Sequence, residues 1–385
     1  MALSPVFWGF FAFLLAAVGA GWYHTIIGYP RKKETAMTQR LLLQHCARYP
    51  GLTIQDVLKF LHQSVFGPGH LVRSDGGGLD ALRAEAASAP PTGETEMLDG
   101  PYVRAHLGLL NAGLAPETLW KLFVLSANAP TGTVEELEEK LTAFLALTKE
   151  GQLPFSPEEA KTAVDRWRSE GFPLRRHSDA FRTAYAPAYR VIRADYAALL
   201  PLLTAIDGKL AEGTPLILAI EGGAASGKTT LAEKLRQIYN CNVFHMDDFF
   251  LRPEQRTPER LAAPGENVDH ERFLEEVLTP LQEGRAVTFR RYDCHTQSLC
   301  PAVTVPPALL TVVEGSYSCH DSLYDAYGLR CFLRISPELQ RERICARNSP
   351  EFQKRFFDTW IPMEQRYHEA FSIPERCDII LEVTP

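Results

Sequence analysis

The residues best placed for chemistry are Gly222-Gly223-Ala224-Ala225-Ser226-Gly227-Lys228-Thr229, followed by Thr230. They fit the pattern G-x-x-x-x-G-K-[S/T]. Small residues let the backbone curl until its N–H groups face one concavity, and a helix starting near Gly227 adds its positive end. Lys228 can reach terminal phosphates, and the Thr229 hydroxyl can ligate Mg²⁺. Every residue from Gly222 to Thr230 is therefore a candidate ATP contact. No NKxD-type guanine motif accompanies the loop, which points away from a GTPase.

Carboxylates follow at useful spacing. The run FHMDDFF, Phe244 to Phe250, closes a strand with Asp247 and Asp248. In open α/β sheets such strand ends face the substrate. Asp247 is the candidate general base for an attacking hydroxyl, with Asp248 as a substrate contact or fallback base. A capping or solvated Asp pair is the alternative use. Further on, LLTVVEGSY ends an apolar strand at Glu314-Gly315. Either this is an ordinary strand-end glutamate, or it joins Thr229 around Mg²⁺. Arg343 and Arg347 lie four apart on LQRERICARN and share a helix face. One or both could cover the transferring phosphate, unless they form a solvated basic face. Arg341, Lys354 and Arg355 have less support.

These groups need a scaffold. PLILAIEG, just before the loop, is an almost wholly apolar run, as a strand buried on both faces would be. Strand-like segments (CNVFHMDDFF, running from strand into loop, AVTFRRYD, ALLTVVEGSYS, LRCFLRIS, CDIILEV) then alternate with helix-like ones (VDHERFLEEVLTPLQEG, PELQRERICARN, EFQKRFFDTWIPMEQRYHEAF). That alternation predicts an α/β domain over 208–385: a P-loop NTPase fold, with a mainly parallel sheet and helices on both faces. The final helix, with WIPMEQRYHEAF, reads as core packing. Residues 37–207 read as an all-α domain of unknown role, with caps at Thr53 and Ser156 and a terminal glycine at Gly151. Within it, Pro173 to Ile192 crowds Arg175, Arg176, His177, Asp179, Arg182, Tyr185, Tyr189 and Arg190. That segment is either a second anion or acceptor site, or a docking surface for the other domain. His70, after a tight turn, reads as structural.

From about Pro215 to the end, the chain resembles the uridine kinase and phosphoribulokinase family of P-loop small-molecule kinases. The loop is similar to that family's G-x-x-x-S-G-K-T-T, and VVEGSY to its V-x-E-G-I. MDDFF resembles D-x-F-Y, which implies that Asp247 is the catalytic carboxylate. ENVDHERF resembles N-F-D-H-P-x-x-F, which places Asp269 at the position that contacts acceptor hydroxyls. RERICARN resembles the arginine-rich helix leading into the lid over ATP. The pyrimidine-recognition segment Y-D-F-x-x-H-x-R is only partly kept. Tyr292 and Asp293 match it, but His295 comes two positions early and the arginine is absent. Arg343 is followed by Ile344, where the family has paired arginines. The resemblance implies ATP and Mg²⁺, with a small-molecule hydroxyl as acceptor. Uridine does not follow. Pantothenate, glycerate or a phosphosugar are alternative acceptors, and a non-catalytic ATP-binding switch is a reading of another class.

Bulk properties set the remaining bounds. The formal net charge of -7 points away from nucleic acid as a partner. The eight cysteines are scattered without a CxxC pair. They read as free thiols of a reducing cytoplasm and point away from a zinc site. Pro5 to Pro30 lacks Asp, Glu, Lys and Arg, and residues 5–23 are about long enough to cross a bilayer as a helix. Arg31, Lys32 and Lys33 follow at once, so an anchored chain would keep its bulk on the cytoplasmic side. The alternative is that residues 1–36 are a mis-called start upstream of Met37. A cleaved signal peptide fits less well, because the basic n-region is missing.

Overall fold

The structure is a computed structural model that describes residues 31–68, 77–89 and 93–384, with residues 31–35 described by backbone alone. The apolar segment 5–23 and His70 lie outside these residues. Among the described residues, no helix is long and apolar enough to cross a membrane. The chain divides into two compact units, one ending at Asp207 and the other running Gly208–Pro385.

The first unit carries helices α1 (Arg31–Arg48), α2 (Ile54–Phe66) and α3 (Gly78–Ala86), then strands β1 (Thr95–Met97) and β2 (Tyr102–His106). Helices α4 (Pro116–Ala127), α5 (Val134–Lys149), α6 (Pro157–Ser169) and α7 (Asp179–Tyr185) follow, then β3 (Tyr189–Arg193) and α8 (Leu200–Leu210). The all-α expectation is corrected here, because β1, β2 and β3 form an antiparallel three-stranded sheet. Gly100, at φ +119°, lies in the link between β1 and β2, where a Cβ would come within 2.8 Å of the Ser64 carbonyl oxygen. Val191 and Ile192 are buried and pair with Arg104 and Val103. Their β-branched side chains favour the extended state once a partner strand is present. The stretch AYRVIRADY looks helical only while that partner is unknown.

This unit also buries charge. The Arg104 guanidinium donates to Gln63 Oε1 at 2.8 and 3.0 Å and to Glu96 Oε2 at 3.2 Å, and His45 Nδ1 meets Glu96 Oε1 at 2.7 Å. Burial alone would raise the Glu96 carboxyl. The charge of Arg104 and the His45 hydrogen bond outweigh it and hold Glu96 well below the ordinary carboxylate range. The polar run 173–192 also bonds within its own unit. His177 meets Asp56 Oδ1 at 2.9 Å and the Tyr189 hydroxyl at 2.6 Å.

The second unit is built on β4 (Leu216–Gly222), α9 (Lys228–Tyr239) and β5 (Asn242–His245). A helical run over 270–282 and the short strands β6 (Val287–Phe289), β7 (Tyr292–Asp293), β8 (Ser298–Leu299) and β9 (Val303–Val305) come next. The chain closes with β10 (Leu310–Glu314), β11 (Leu329–Ile335), α10 (Pro337–Arg347), α11 (Ile361–Phe371) and β12 (Ile379–Val383). The main sheet has the order β12-β11-β4-β10-β5, and all its strands are parallel. Every residue of β4 and β10 is buried, so both sheet faces are covered. Fully burying a side chain such as Leu218 or Ile220 stabilises the fold by about 1.5–3 kcal/mol. β4 lies between β10 and β11, which come much later in sequence, so the chain reverses direction across the sheet at β4. Crevices at such a reversal, at the carboxyl ends of the strands, are where open α/β sheets bind ligands.

Candidate functional site

The phosphate loop hangs from the carboxyl end of β4. Gly222 has φ +147°, and a Cβ there would lie 2.7 Å from the Leu333 carbonyl oxygen and 3.1 Å from Ser226 Oγ. Gly227, at φ +99°, turns the chain into α9. Beneath the loop, the buried Glu221 carboxylate accepts from the amides of Gly222 at 2.9 Å and Cys319 at 3.1 Å, and from the Tyr367 hydroxyl at 3.2 Å. The base of the loop is thereby fixed before any ligand arrives.

Lys228 folds back over the loop. Its Nζ donates to the carbonyls of Gly222 at 2.7 Å and Gly223 at 3.1 Å, and approaches Ser316 Oγ at 3.4 Å. Two later helices close on the same turn. Gln340 of α10 donates to the Ala224 carbonyl at 2.8 Å, and Arg343 donates to that of Ala225 at 3.2 Å. Glu364 of α11 accepts from the Ala224 amide at 2.8 Å and from the Ser316 hydroxyl at 2.6 Å. Sequence reasoning assigned this helix to core packing. Tyr367 does pack there, but Glu364 meets the loop.

The register brings the carboxylates to the same edge. Glu314 pairs with Ile220 of β4 and with His245 of β5. Its Oε1 accepts from Thr229 Oγ1 at 3.0 Å and meets His245 Nδ1 at 2.6 Å. Burial would lower the His245 imidazolium, but the hydrogen bond and charge of Glu314 overcome this and raise its pKa. A short 3₁₀ turn, Met246–Phe249, then presents Asp247 and Asp248. Asp247 is exposed, although many protein atoms surround its carboxyl group. Desolvation there and the nearby charge of Glu314 push its carboxyl up to about 6, against the pull of Lys228 and His245. Asp248 is also raised, by burial first, against the pull of His245, Arg291 and Arg272.

The remaining sequence candidates take varied places. Asp269 is buried and caps the 270–282 run, its Oδ1 accepting from the Arg272 amide at 3.2 Å. Its Oδ2 accepts from Gln255 Nε2 at 3.0 Å, and its amide donates to the Phe249 carbonyl at 2.7 Å. Asp269 is thus tied to the Asp247–Asp248 turn through backbone. Tyr292 is buried, and its hydroxyl accepts from Arg256 at 2.9 Å. Asp293 accepts from the His295 amide at 2.7 Å and so caps a hairpin turn. Arg347 lies over the Phe356 ring, 5.9 Å from its centroid, and burial together with the charge of Arg343 lowers its pKa.

The structure therefore groups Lys228, Thr229, Asp247 and Glu314 at one strand edge, with Arg343 on the loop's outer turn. Arg347 and Tyr292 face aromatic and arginine neighbours. Sequence reasoning missed His245, Ser316, Gln340 and Glu364. His245 carried a weak signal, two residues before Asp247 on a strand. The other three needed the fold.

The residues present fit a nucleotide phosphate and Mg²⁺. Gly222 packs against the Leu333 carbonyl and Ser226 with no room for a Cβ, so the loop can curl this tightly only with glycine there, and the Thr229–Glu314 pair is an oxygen-donor set suited to a hard cation. Fold and site together define a phosphate-loop α/β unit. Residues 217–350 match the model of the Phosphoribulokinase / Uridine kinase family, which bears out the resemblance read from the motifs. Among curated proteins, none matches the chain. Solved structures similar to it include a possible uridine kinase from Bacillus stearothermophilus, at 22% identity over 47% of this chain and 99% of that one, with a TM-score of 0.35. Another is a candidate fructose transport system kinase from Silicibacter sp. TM1040, at 20% identity over 46% of this chain and 96% of that one, with a TM-score of 0.38.

Proposed function

We propose that the Gly208–Pro385 unit is an ATP- and Mg²⁺-dependent phosphotransferase that moves the γ-phosphoryl group to a hydroxyl of a small, nucleoside-like metabolite. The observation that carries this reading is the grouping of Lys228, Thr229, Glu314 and Asp247 at one strand edge. The loop amides and Lys228 hold the phosphates. Thr229 and Glu314 offer oxygens to Mg²⁺, which when bound neutralises charge on the transferring group. Asp247 takes the proton of the acceptor hydroxyl, and its raised pKa suits a base working near neutral pH. Asp269 and Tyr292 line the acceptor side, and Arg343 covers the loop. Such chemistry depends on positioning and charge neutralisation more than on covalent help.

The nucleobase is left open on physical grounds. Asp293 is spent on the turn at His295, and the segment lacks the arginine that would pair with a base edge. The test is ADP release by the full chain with Mg²⁺-ATP across nucleosides, vitamins and sugar acids, with Lys228→Ala as control. Release stimulated by one acceptor and lost in the control supports the reading and names the acceptor class. ATP binding with no stimulation by any acceptor refutes phosphotransfer and leaves a nucleotide-binding switch.

A further inference from the structure

A second cluster of ligating side chains lies outside the phosphate loop. Glu266 and His270 flank Asp269 in sequence, and His320 follows β10. One ligating atom from each lies within 4.8 Å of the other two. His270 Nε2 is 3.0 Å from Glu266 Oε2, and His320 Nε2 is 3.7 Å from Glu266 Oε1. The two imidazoles stack, with centroids 4.2 Å apart and planes 15° apart. His320 is only 5% exposed, and its buried Nε2 has no hydrogen-bond partner among the described residues. A buried, unpartnered ring nitrogen aimed at a carboxylate calls for an explanation.

The far side of each ring supplies one. Ser322 Oγ is 2.8 Å from His320 Nδ1 and 3.0 Å from His270 Nδ1. One hydroxyl oxygen, with two lone pairs, can accept from both Nδ1–H groups. That tautomer leaves a lone pair on each Nε2, facing Glu266. An imidazole that donates its other N–H to an oxygen is held in the orientation a metal ion needs.

We propose that Glu266, His270 and His320 bind a divalent transition-metal ion of the zinc type, through two imidazole nitrogens and one carboxylate. Bonds of about 2.0–2.2 Å in a tetrahedral site place ligand atoms about 3.3 Å apart. The two His–Glu distances, each to a different carboxylate oxygen, bracket that value, and binding requires the stacked rings to splay so that both Nε2 lone pairs meet at one ion. Three protein ligands leave one position for water. Arg260, 3.4 Å from Glu266 Oε2, opposes a cation there, but it also donates to Glu271 at 2.6 Å. The ion would staple the Asp269 segment to the loop after β10. The absence of a CxxC pair does not bear on it, since its donors are histidine and glutamate. The inference does not depend on the phosphotransfer reading. The rival arrangement is a metal-free hydrogen-bonded staple, in which the Ser322 amide donates to His320 Nδ1 at 3.3 Å and the ring proton sits on Nε2.

Cobalt(II) separates the two. The full chain is titrated with Co²⁺ under reducing conditions, beside Glu266→Gln, His320→Ala and Ser322→Ala. The expected result is one Co²⁺ per chain, with the visible d–d bands of four-coordinate cobalt and no near-UV thiolate charge-transfer band. Zn²⁺ should displace it and raise the Tm of the wild type. Affinity should fall at least ~10-fold in Ser322→Ala and further in the two ligand variants. Glu266→Gln keeps the proposal testable if His320→Ala fails to fold. Absence of the d–d bands, or a thiolate-type spectrum that persists in Glu266→Gln, would overturn the site.

Discussion

Thr229 donates a 3.0 Å hydrogen bond to Glu314, joining residues 85 positions apart in sequence. The parallel pairing of β4 with β10 produces this contact, because Glu314 stands level with Ile220, just before the phosphate loop. Loss of the Thr229 hydroxyl removes one oxygen donor to Mg²⁺ and one partner of Glu314. Thr229→Val should raise the Mg²⁺ concentration needed for half-maximal ADP release by ~10-fold or more, and Glu314→Gln should act in the same direction. An unchanged Mg²⁺ dependence in both variants would remove the pair from the metal site.

Asp247→Asn should lower kcat by at least ~10², with ATP affinity nearly unchanged. Equilibrium binding of ATP and single-turnover kinetics check the two parts separately. If the variant keeps its turnover, the proton acceptor is Asp248.

The pH profile follows from the same residue. Asp247 must be ionised to act as a base, and its pKa is pushed up to about 6. ADP release should therefore decline as pH falls through about 6, and this limb should be missing from the residual activity of Asp247→Asn. Stability runs the other way. A carboxyl whose folded-state pKa is raised contributes stability below its ordinary pKa, and that contribution is lost as pH rises through about 6. Asp247→Asn should thus melt no lower than wild type at pH 8, and a markedly lower Tm would contradict the like-charge strain with Glu314.

Glu364 places a carboxylate on the Ala224 amide, inside the loop that is to receive phosphate. Glu364→Gln keeps an acceptor for that amide and removes the charge. ATP should bind ~3–10-fold more tightly, with the gain shrinking as salt is raised. Weaker binding at every ionic strength would mean that the carboxylate chiefly shapes the loop.

In the other unit, Arg104 is buried against Gln63 and Glu96. Arg104→Met leaves the Glu96 carboxylate buried without its main partner and should cost about 3–5 kcal/mol in urea unfolding. Since Glu96 is held below the ordinary carboxylate range, wild-type stability from this group is present above that range and lost as pH falls below it, toward the depressed folded-state pKa. The variant should lose that part of the acid sensitivity.

The phosphate loop, the apolar strands and the alternation of the second unit were legible in sequence because each is a local pattern. Small residues curl a backbone, a continuous apolar run must be covered on both faces, and Lys228 and Thr229 follow at fixed spacing. Asp247 and Glu314 could be named because they end strands, and strand ends in such sheets point one way. What the chain order could not fix was which strand ends become neighbours. Only the sheet order β12-β11-β4-β10-β5 sets Glu314 beside both Thr229 and His245. Only the packing of α11 brings Glu364 to the loop, and only the approach of two distant segments gathers Glu266, His270 and His320. The antiparallel sheet of the first unit stayed hidden for the same reason. A strand such as β3 is stabilised by a partner remote in sequence, and pairing energy of that kind leaves no local periodicity to read.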